Sequence, residues 1–151
     1  MIVRDPTPAD EAAWRQLWAG YLAFYETVLP PAVTNRTWER ILDPASTVFA
    51  RLAEDNGEVI GFCVNVLHEG TWTLDPTCYL EDLFVTAERR GGGAGRMLIE
   101  DLIARARERG WSRLYWHTQS GNPARRLYDR FVAADDFVRY RLVLSGEAKI
   151  D

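Results

Sequence analysis

The sequence predicts one α/β domain, a mixed, mainly antiparallel sheet flanked by helices. Three observations predict it. Residues 47–54, 58–68 and 77–85 are rich in β-branched and aromatic side chains and are separated by turn-forming stretches, as in successive antiparallel strands. Residues 94–109 then carry apolar side chains at helical spacing (Met97, Leu98, Leu102, Ile103, Ala106) before another strand-like run at 113–117. Finally, 151 residues with 47% hydrophobic and 26% charged content suit one globular core and are too few for two. Strands and helices in this order build a three-layer domain, expected to span residues 1–151.

The chain opens on a short strand, residues 2–4. Pro6, Thr7 and Pro8 follow, and Thr7 or Asp10 is a suitable cap for a helix reaching about Tyr25. Its wide apolar face holds Trp14, Leu17, Trp18, Tyr21, Leu22, Phe24 and Tyr25. Core packing explains most of these rings, but their density also suits a pocket wall for apolar groups and organic cations. Pro30 and Pro31 break the chain before a second short helix at 35–42. Asp55-Asn56-Gly57 is a hairpin signal. Gly61, inside a nearly continuous apolar strand, suggests a bulge or the close approach of another segment. Gly110 is placed to end the 94–109 helix. A helix from Ala124 to about Phe131 and a closing strand at 138–144 complete the expected order.

Composition excludes several classes. No apolar run approaches the ~20 residues of a membrane span, and the first residues lack a signal-peptide core, so a cytoplasmic address is expected. Cys63 and Cys78 fall on strands and read as buried reduced thiols; no constellation of metal ligands is apparent. The net charge of −4 divides unevenly, at −8 for residues 1–85 and +4 for residues 86–151. That division suits a protein that takes a cation at one end and a polyanion at the other. The basic excess is too small and local for nucleic acid.

The most informative stretch is 79–98, YLEDLFVTAERRGGGAGRML. A strand runs into Arg89-Arg90-Gly91-Gly92-Gly93-Ala94-Gly95-Arg96, which opens a helix. Unpaired N–H groups and the positive dipole end make a helix N-terminus attractive to anions, and glycines allow close approach. The dinucleotide fingerprint starting at Gly91 would need glycine where Arg96 stands; a P-loop would need Gly-Lys, and the single lysine is Lys149. Arg90-x-x-Gly93-x-Gly95 does fit, and it resembles the pyrophosphate loop of the GNAT superfamily, the Gcn5-related N-acetyltransferases. Asn122-Pro123-Ala124-Arg125-Arg126-Leu127-Tyr128 resembles the family's second cofactor segment, and YLEDLFV resembles the strand of its diamine and thialysine N-acetyltransferase branch. The resemblance covers nearly the whole chain. It departs at 131–137, where many members have Gly-Phe after the tyrosine helix, so that turn is expected to be remodelled.

The resemblance implies a fold, a co-substrate and roles. Two strands would splay apart, and the pantetheine of acetyl-CoA would bond to backbone at Phe84 and Val85. The diphosphate would sit on Arg90, Gly91, Gly92, Gly93, Ala94, Gly95 and Arg96, with Asn122 also touching the cofactor. Tyr128 would protonate the departing thiolate, and Glu81 is the candidate base or amine-orienting carboxylate. Regular alternation puts Glu81 and Asp82 on opposite faces, so only one would look into the cleft; a bulge would change which. His68 and His117 are weaker candidates for proton transfer. The expected activity is acetyl transfer to a primary amine of a small molecule such as a polyamine or amino acid, by direct attack and without a metal. A peptide or protein amine as acceptor, and a non-catalytic acyl-CoA-binding domain, are the alternatives. The resemblance further implies a homodimer.

Overall fold

A computed structural model describes residues 1–145. The last six residues of the expected 1–151 domain lie outside the described residues. Strand β1 (Ile2–Arg4) leads to a 3₁₀ turn, Pro8–Asp10, and helix α1 (Glu11–Phe24). The Thr7 N–H donates to Asp10 Oδ2 at 2.7 Å, half of a capping box that fixes the chain's entry into the helix. Helix α2 (Pro31–Leu42) starts four residues earlier than the pattern suggests. Pro31 takes the first helical position, where a missing N–H costs nothing. Strands β2 (Val48–Asp55) and β3 (Glu58–His68) join through Asn56 and Gly57, at φ 50° and 80°, the two positive values a tight hairpin needs. Strand β4 (Thr77–Val85), helix α3 (Ala94–Arg109), strand β5 (Arg113–Tyr115) and helix α4 (Arg125–Tyr128) follow.

The sheet order is β1-β2-β3-β4-β5, antiparallel throughout except for the parallel pair β4 and β5. Each face carries its own core. Helices α1 and α2 lay Trp14, Trp18, Trp38 and Ile41 on Leu52, Phe62 and Val64. Trp14 stacks on both Trp18 and Trp38 with centroids 5.2 Å apart. Helix α3 lays Leu98, Ile99 and Leu102 on Ile60, Cys63 and Leu80 across the other face. Arg51, almost wholly buried on β2, ties that layer together by bonding Asp101 of α3 at 2.7 and 2.9 Å and Asp5 at 2.6 Å. Cys63 and Cys78 are both buried free thiols, and burial pushes each up to about 12.

The C-terminal part differs from expectation. Strand β5 stops at Tyr115 rather than continuing to residue 117. Helix α4 is regular for four residues and then continues as turn bonds as far as Val132. Residues 138–144 form no strand among the described residues. They form an exposed arm, with Val138, Tyr140, Leu142 and Leu144 between 79% and 93% exposed. A closing strand needs a neighbour to pair with, and three-residue β5 offers little edge.

Candidate active site

The site is organised by the parting of β4 and β5. Their ladder covers three residue pairs, Thr77 with Arg113, Cys78 with Leu114 and Tyr79 with Tyr115. Beyond Tyr79 the strands diverge, and one edge of β4 is open from Leu80 to Val85 among the described residues. Its other edge is held by β3. Gly61 lies so close that a Cβ there would sit 2.9 Å from the Phe84 carbonyl oxygen, which is the close approach the sequence suggests.

At the far end of that open edge lies the glycine loop. Gly91 and Gly93 have φ of 82° and 92°, values that strain any L side chain. Gly93 is the N-cap of α3, and its carbonyl accepts the Met97 N–H at 3.0 Å. The backbone N–H groups of residues 91–96 have no backbone acceptor among the described residues. At Gly95 a Cβ would meet Leu127 at 3.2 Å, so glycine there lets α4 close on the start of α3. Beside this junction is a cavity of ≈ 260 Å³ lined by Arg96, Leu127, Arg130 and Phe131. Free donors, a helix dipole and two guanidinium groups suit the diphosphate and adenosine phosphate of acetyl-CoA. Arg90 folds back, donating from Nε to the Val85 carbonyl at 3.1 Å while its guanidinium lies over Phe84 and Phe24. Arg89 is committed elsewhere, to Asp55 and Glu58 on the β2–β3 hairpin, and is not part of the cradle.

The second feature is a β-bulge. Val64 faces Asp82 and Asn65 faces Leu80, which leaves Glu81 without an opposite residue. The extra residue resets the alternation. Asp82 and Glu81 therefore share the α1 side of the sheet, where both act on Tyr21 and on Tyr79. The expectation that only one of them faces this side is corrected by the bulge. Glu81 is exposed; Asp82 is half-buried and accepts a hydrogen bond from the Tyr21 hydroxyl. Burial outweighs that bond, and with the neighbouring Glu81 charge it lifts the Asp82 carboxyl to about 7.

The third feature comes from α4 and the loop before it. Asn122 accepts the Ala124 N–H at 2.9 Å and donates from Nδ2 to Thr118 Oγ1 at 2.8 Å and to the Tyr25 hydroxyl at 3.4 Å. Its side chain is thus fixed between helix start, strand end and α1. Tyr128 stands edge-on to Trp116 with centroids 5.7 Å apart. Burial pushes its phenol up to about 12, with Tyr25 adding to the effect.

Of the residues singled out from sequence, 81, 84 and 85 lie on the open part of β4 and 90–96 on the loop and helix start that follow, while Asn122 meets Tyr25 and Tyr128 meets Trp116. Tyr21 and Tyr25, expected from the sequence as rings for a pocket wall, reach this region. The sequence reading missed Thr118 and Arg130, which the fold brings beside Asn122 and the glycine cradle. For Tyr21 and Tyr25 the signal was present in the aromatic face of the first helix. For Thr118 and Arg130 no local pattern distinguishes them.

Comparison with known proteins agrees with this geometry. The family model for the Acetyltransferase (GNAT) family matches residues 11–132. The chain is 38% identical over 144 residues to the D-amino-acid N-acetyltransferase HPA3 of Saccharomyces cerevisiae, covering 93% of this chain and 89% of that protein. It is 33% identical over 112 residues to the type 1 aminoglycoside N(6')-acetyltransferase of Stenotrophomonas maltophilia, covering 72% and 69%. Among solved structures, one of a probable acetyltransferase superposes with a TM-score of 0.85 at 24% identity, covering 97% of this chain and 100% of that one.

Proposed function

The chain belongs to the GNAT family of acetyltransferases, and from that premise we propose that it is an acetyl-CoA-dependent N-acetyltransferase acting on a primary amine of a small molecule. One observation carries the proposal: the open edge of β4 joins the glycine cradle at one end to the Glu81 and Asp82 pair at the other. The named activities of the two curated relatives, on D-amino acids and on aminoglycosides, support a small amine as acceptor.

In this reading the co-substrate supplies an acetyl thioester, lying along β4 with its diphosphate on residues 90–96. Backbone at Phe84 and Val85 orients the pantetheine, with Asn122 flanking it. For the Val85 carbonyl to take part, Arg90 must release it. The acceptor arrives as an ammonium with an ordinary pKa near ~10.4, and must lose a proton before nitrogen can attack. Asp82 and Glu81 draw it in by charge, and ionised Asp82 takes that proton directly or through water. The amine nitrogen bonds to the carbonyl carbon, the carbon–sulfur bond breaks with its electron pair leaving on sulfur, and the nitrogen's remaining excess proton ends on that sulfur, giving the amide and the free thiol. Tyr128, with its proton held firmly, donates a hydrogen bond to the departing thiolate. A phenol at about 12 stabilises that thiolate more readily than it protonates it outright.

The test is turnover with acetyl-CoA and a panel of diamines, amino acids, amino sugars and a short peptide, following release of coenzyme A with a thiol reagent. The protein's own two cysteines are buried and should give little background. Acetylation of small amines in preference to the peptide supports the reading, whereas no thiol release with any acceptor refutes it.

We also propose that the protein is a homodimer in which each arm, held to its own chain where Arg139 meets His117, is covered by the partner. Val138, Tyr140, Leu142 and Leu144 recur at strand period with their side chains in water, while the outer edge of β5 has no strand beside it among the described residues. Two copies related by a two-fold axis would satisfy arm and edge reciprocally. Light scattering should report a dimer for the native chain and a monomer for Tyr140→Glu/Leu142→Glu; a dimer in both would exclude the arm as the interface.

A further inference from the structure

Next to the carboxylate pair, the α1 side of the sheet carries a ladder of rings. His68 Nε2 lies 2.9 Å from the Tyr115 hydroxyl. Tyr115 stacks on Tyr79 with centroids 5.0 Å apart and planes at 14°, and Tyr79 stacks on His117 at 5.1 Å and 9°. The ladder ends on the arm: Arg139 Nη1 lies 2.5 Å from His117 Nε2, which is also 3.2 Å from the Tyr79 hydroxyl. A guanidinium can only donate, so His117 accepts through Nε2 and is the neutral imidazole with its proton on Nδ1. Burial and the Arg139 charge both push its pKa down, consistent with that form.

This contact holds a cation where the arm crosses the ladder. The residues from 132 to 145 are all exposed, Arg139 among them, and Arg139 is the one whose side chain meets the end of the ladder at His117. Tyr79 is near both: burial chiefly raises its phenol, the Glu81 and Asp82 charges raise it further, and the Arg139 charge opposes them. The site therefore has two poles of opposite sign, two carboxylates and one guanidinium, with a flat aromatic floor between them. A polyamine would meet repulsion at the second pole. A zwitterion matches both.

We infer that Arg139 is a specificity-determining residue that binds the carboxylate of the acceptor, making the preferred substrate an amino acid rather than a simple amine. The inference rests on the acetyltransferase reading above. Arg139 spends one N–H on His117 and keeps others for a carboxylate, which an arginine fork recognises in two-point fashion. His117, itself stacked on Tyr79, serves as the positioning residue that fixes the direction of the fork. The ammonium end is then directed to Asp82 and Glu81, and the side chain of the amino acid lies over the rings of Tyr79 and Tyr115.

The test compares each amino acid with its own amide, which keeps the amine and removes the negative charge. In the native protein kcat/KM for the acid should exceed that for the amide by about ten- to hundredfold. In Arg139→Gln that ratio should fall to near one, the change appearing in KM for the acid far more than in kcat. Arg139→Lys should restore part of the ratio, because the charge returns without the fork. If the native protein uses acid and amide equally, or if Arg139→Gln lowers both by the same factor, Arg139 is a structural strap and the inference fails while acetyl transfer stands. Absence of transfer to every amine would instead overturn both readings together.

Discussion

Replacing Asp82 by asparagine should make the protein more stable and less active, and the two effects should share one pH dependence. An aspartate has an ordinary value of 3.8, and the bulge lifts this one to about 7. A raised acid binds its proton more tightly in the folded than in the unfolded chain, so stability falls as pH rises from about 4 to about 7 and is level above. At 1.36 kcal/mol per pH unit the ceiling on that loss is about 4 kcal/mol. Asp82 is only half-buried, so solvent screening reduces it to about 1–3 kcal/mol. Asparagine has nearly the same shape, can still accept the Tyr21 hydrogen bond, and carries no charge to desolvate. For a chain of this size the Tm should rise by roughly 3–8 °C at pH 8. The gain should shrink toward nothing near pH 4, where native Asp82 is already protonated. Meanwhile kcat/KM at pH 8 should drop by ~10²–10⁴, the usual worth of a positioned base, and the rising limb near pH 7 should vanish. Scanning calorimetry at pH 4, 6 and 8 beside pH–rate profiles of both proteins makes the comparison. A variant that is destabilised at pH 8, or whose profile keeps its limb near 7, would refute the reasoning about the bulge.

Tyr128→Phe should lower kcat by ~10²–10³, the usual loss of one donor to developing charge, with little change in cofactor affinity; because the phenol is pushed up to about 12, the native profile should show no falling limb from it below pH 10. Gly93→Val should weaken acetyl-CoA binding by orders of magnitude in a calorimetric titration. The cause is conformational, since no atom lies within 4 Å of a Cβ there but φ is +92°, and forcing that backbone costs roughly 1–3 kcal/mol. Asp101→Ala should cost about 3 kcal/mol or more in urea unfolding, because it strips the nearly buried Arg51 of its two-point partner and leaves it the exposed Asp5 and a long bond to the Val3 carbonyl. A change below 1 kcal/mol would mean that Arg51 is solvated in place.

The parts legible in the sequence are those where local chemistry dictates the backbone. Asn56-Gly57 supplies two positive-φ residues and makes the hairpin. Gly93 and Gly95 could be read as a cradle because their lack of Cβ is required there by the N-cap and by Leu127. Asn122 was legible for the same reason, as a local cap on the Ala124 N–H, whereas Tyr128 was singled out by the family resemblance and not by local chemistry. What could not be read depends on partners distant in sequence. A bulge is a property of two strands in register, and nothing in Glu81-Asp82 alone announces that Asn65 will face Leu80. Tyr21 reaches Asp82 only because α1 lies across β4. The arm misled because strand composition describes what a segment can pair with, and three-residue β5 offers it little edge.

The bulge also explains why the acceptor end is acidic on both counts rather than one. Had β4 kept its pleat, Glu81 or Asp82 would have turned toward α3, into the apolar layer of Leu80, Leu98 and Leu102, at a cost no partner there would offset. With the extra residue, Leu80, Leu83 and Val85 pack toward α3 while both acids and Phe84 turn toward α1. The same irregularity that keeps carboxylates out of one core therefore crowds two of them beside Tyr21 and Tyr79. Burial beneath α1, with the Glu81 charge adding to it, raises Asp82 to about 7, where it can still be ionised at neutral pH yet accept a proton from an amine. Deleting the bulge should therefore destroy the base and expose the fold to a buried charge at the same time, which no substitution at Glu81 alone would do.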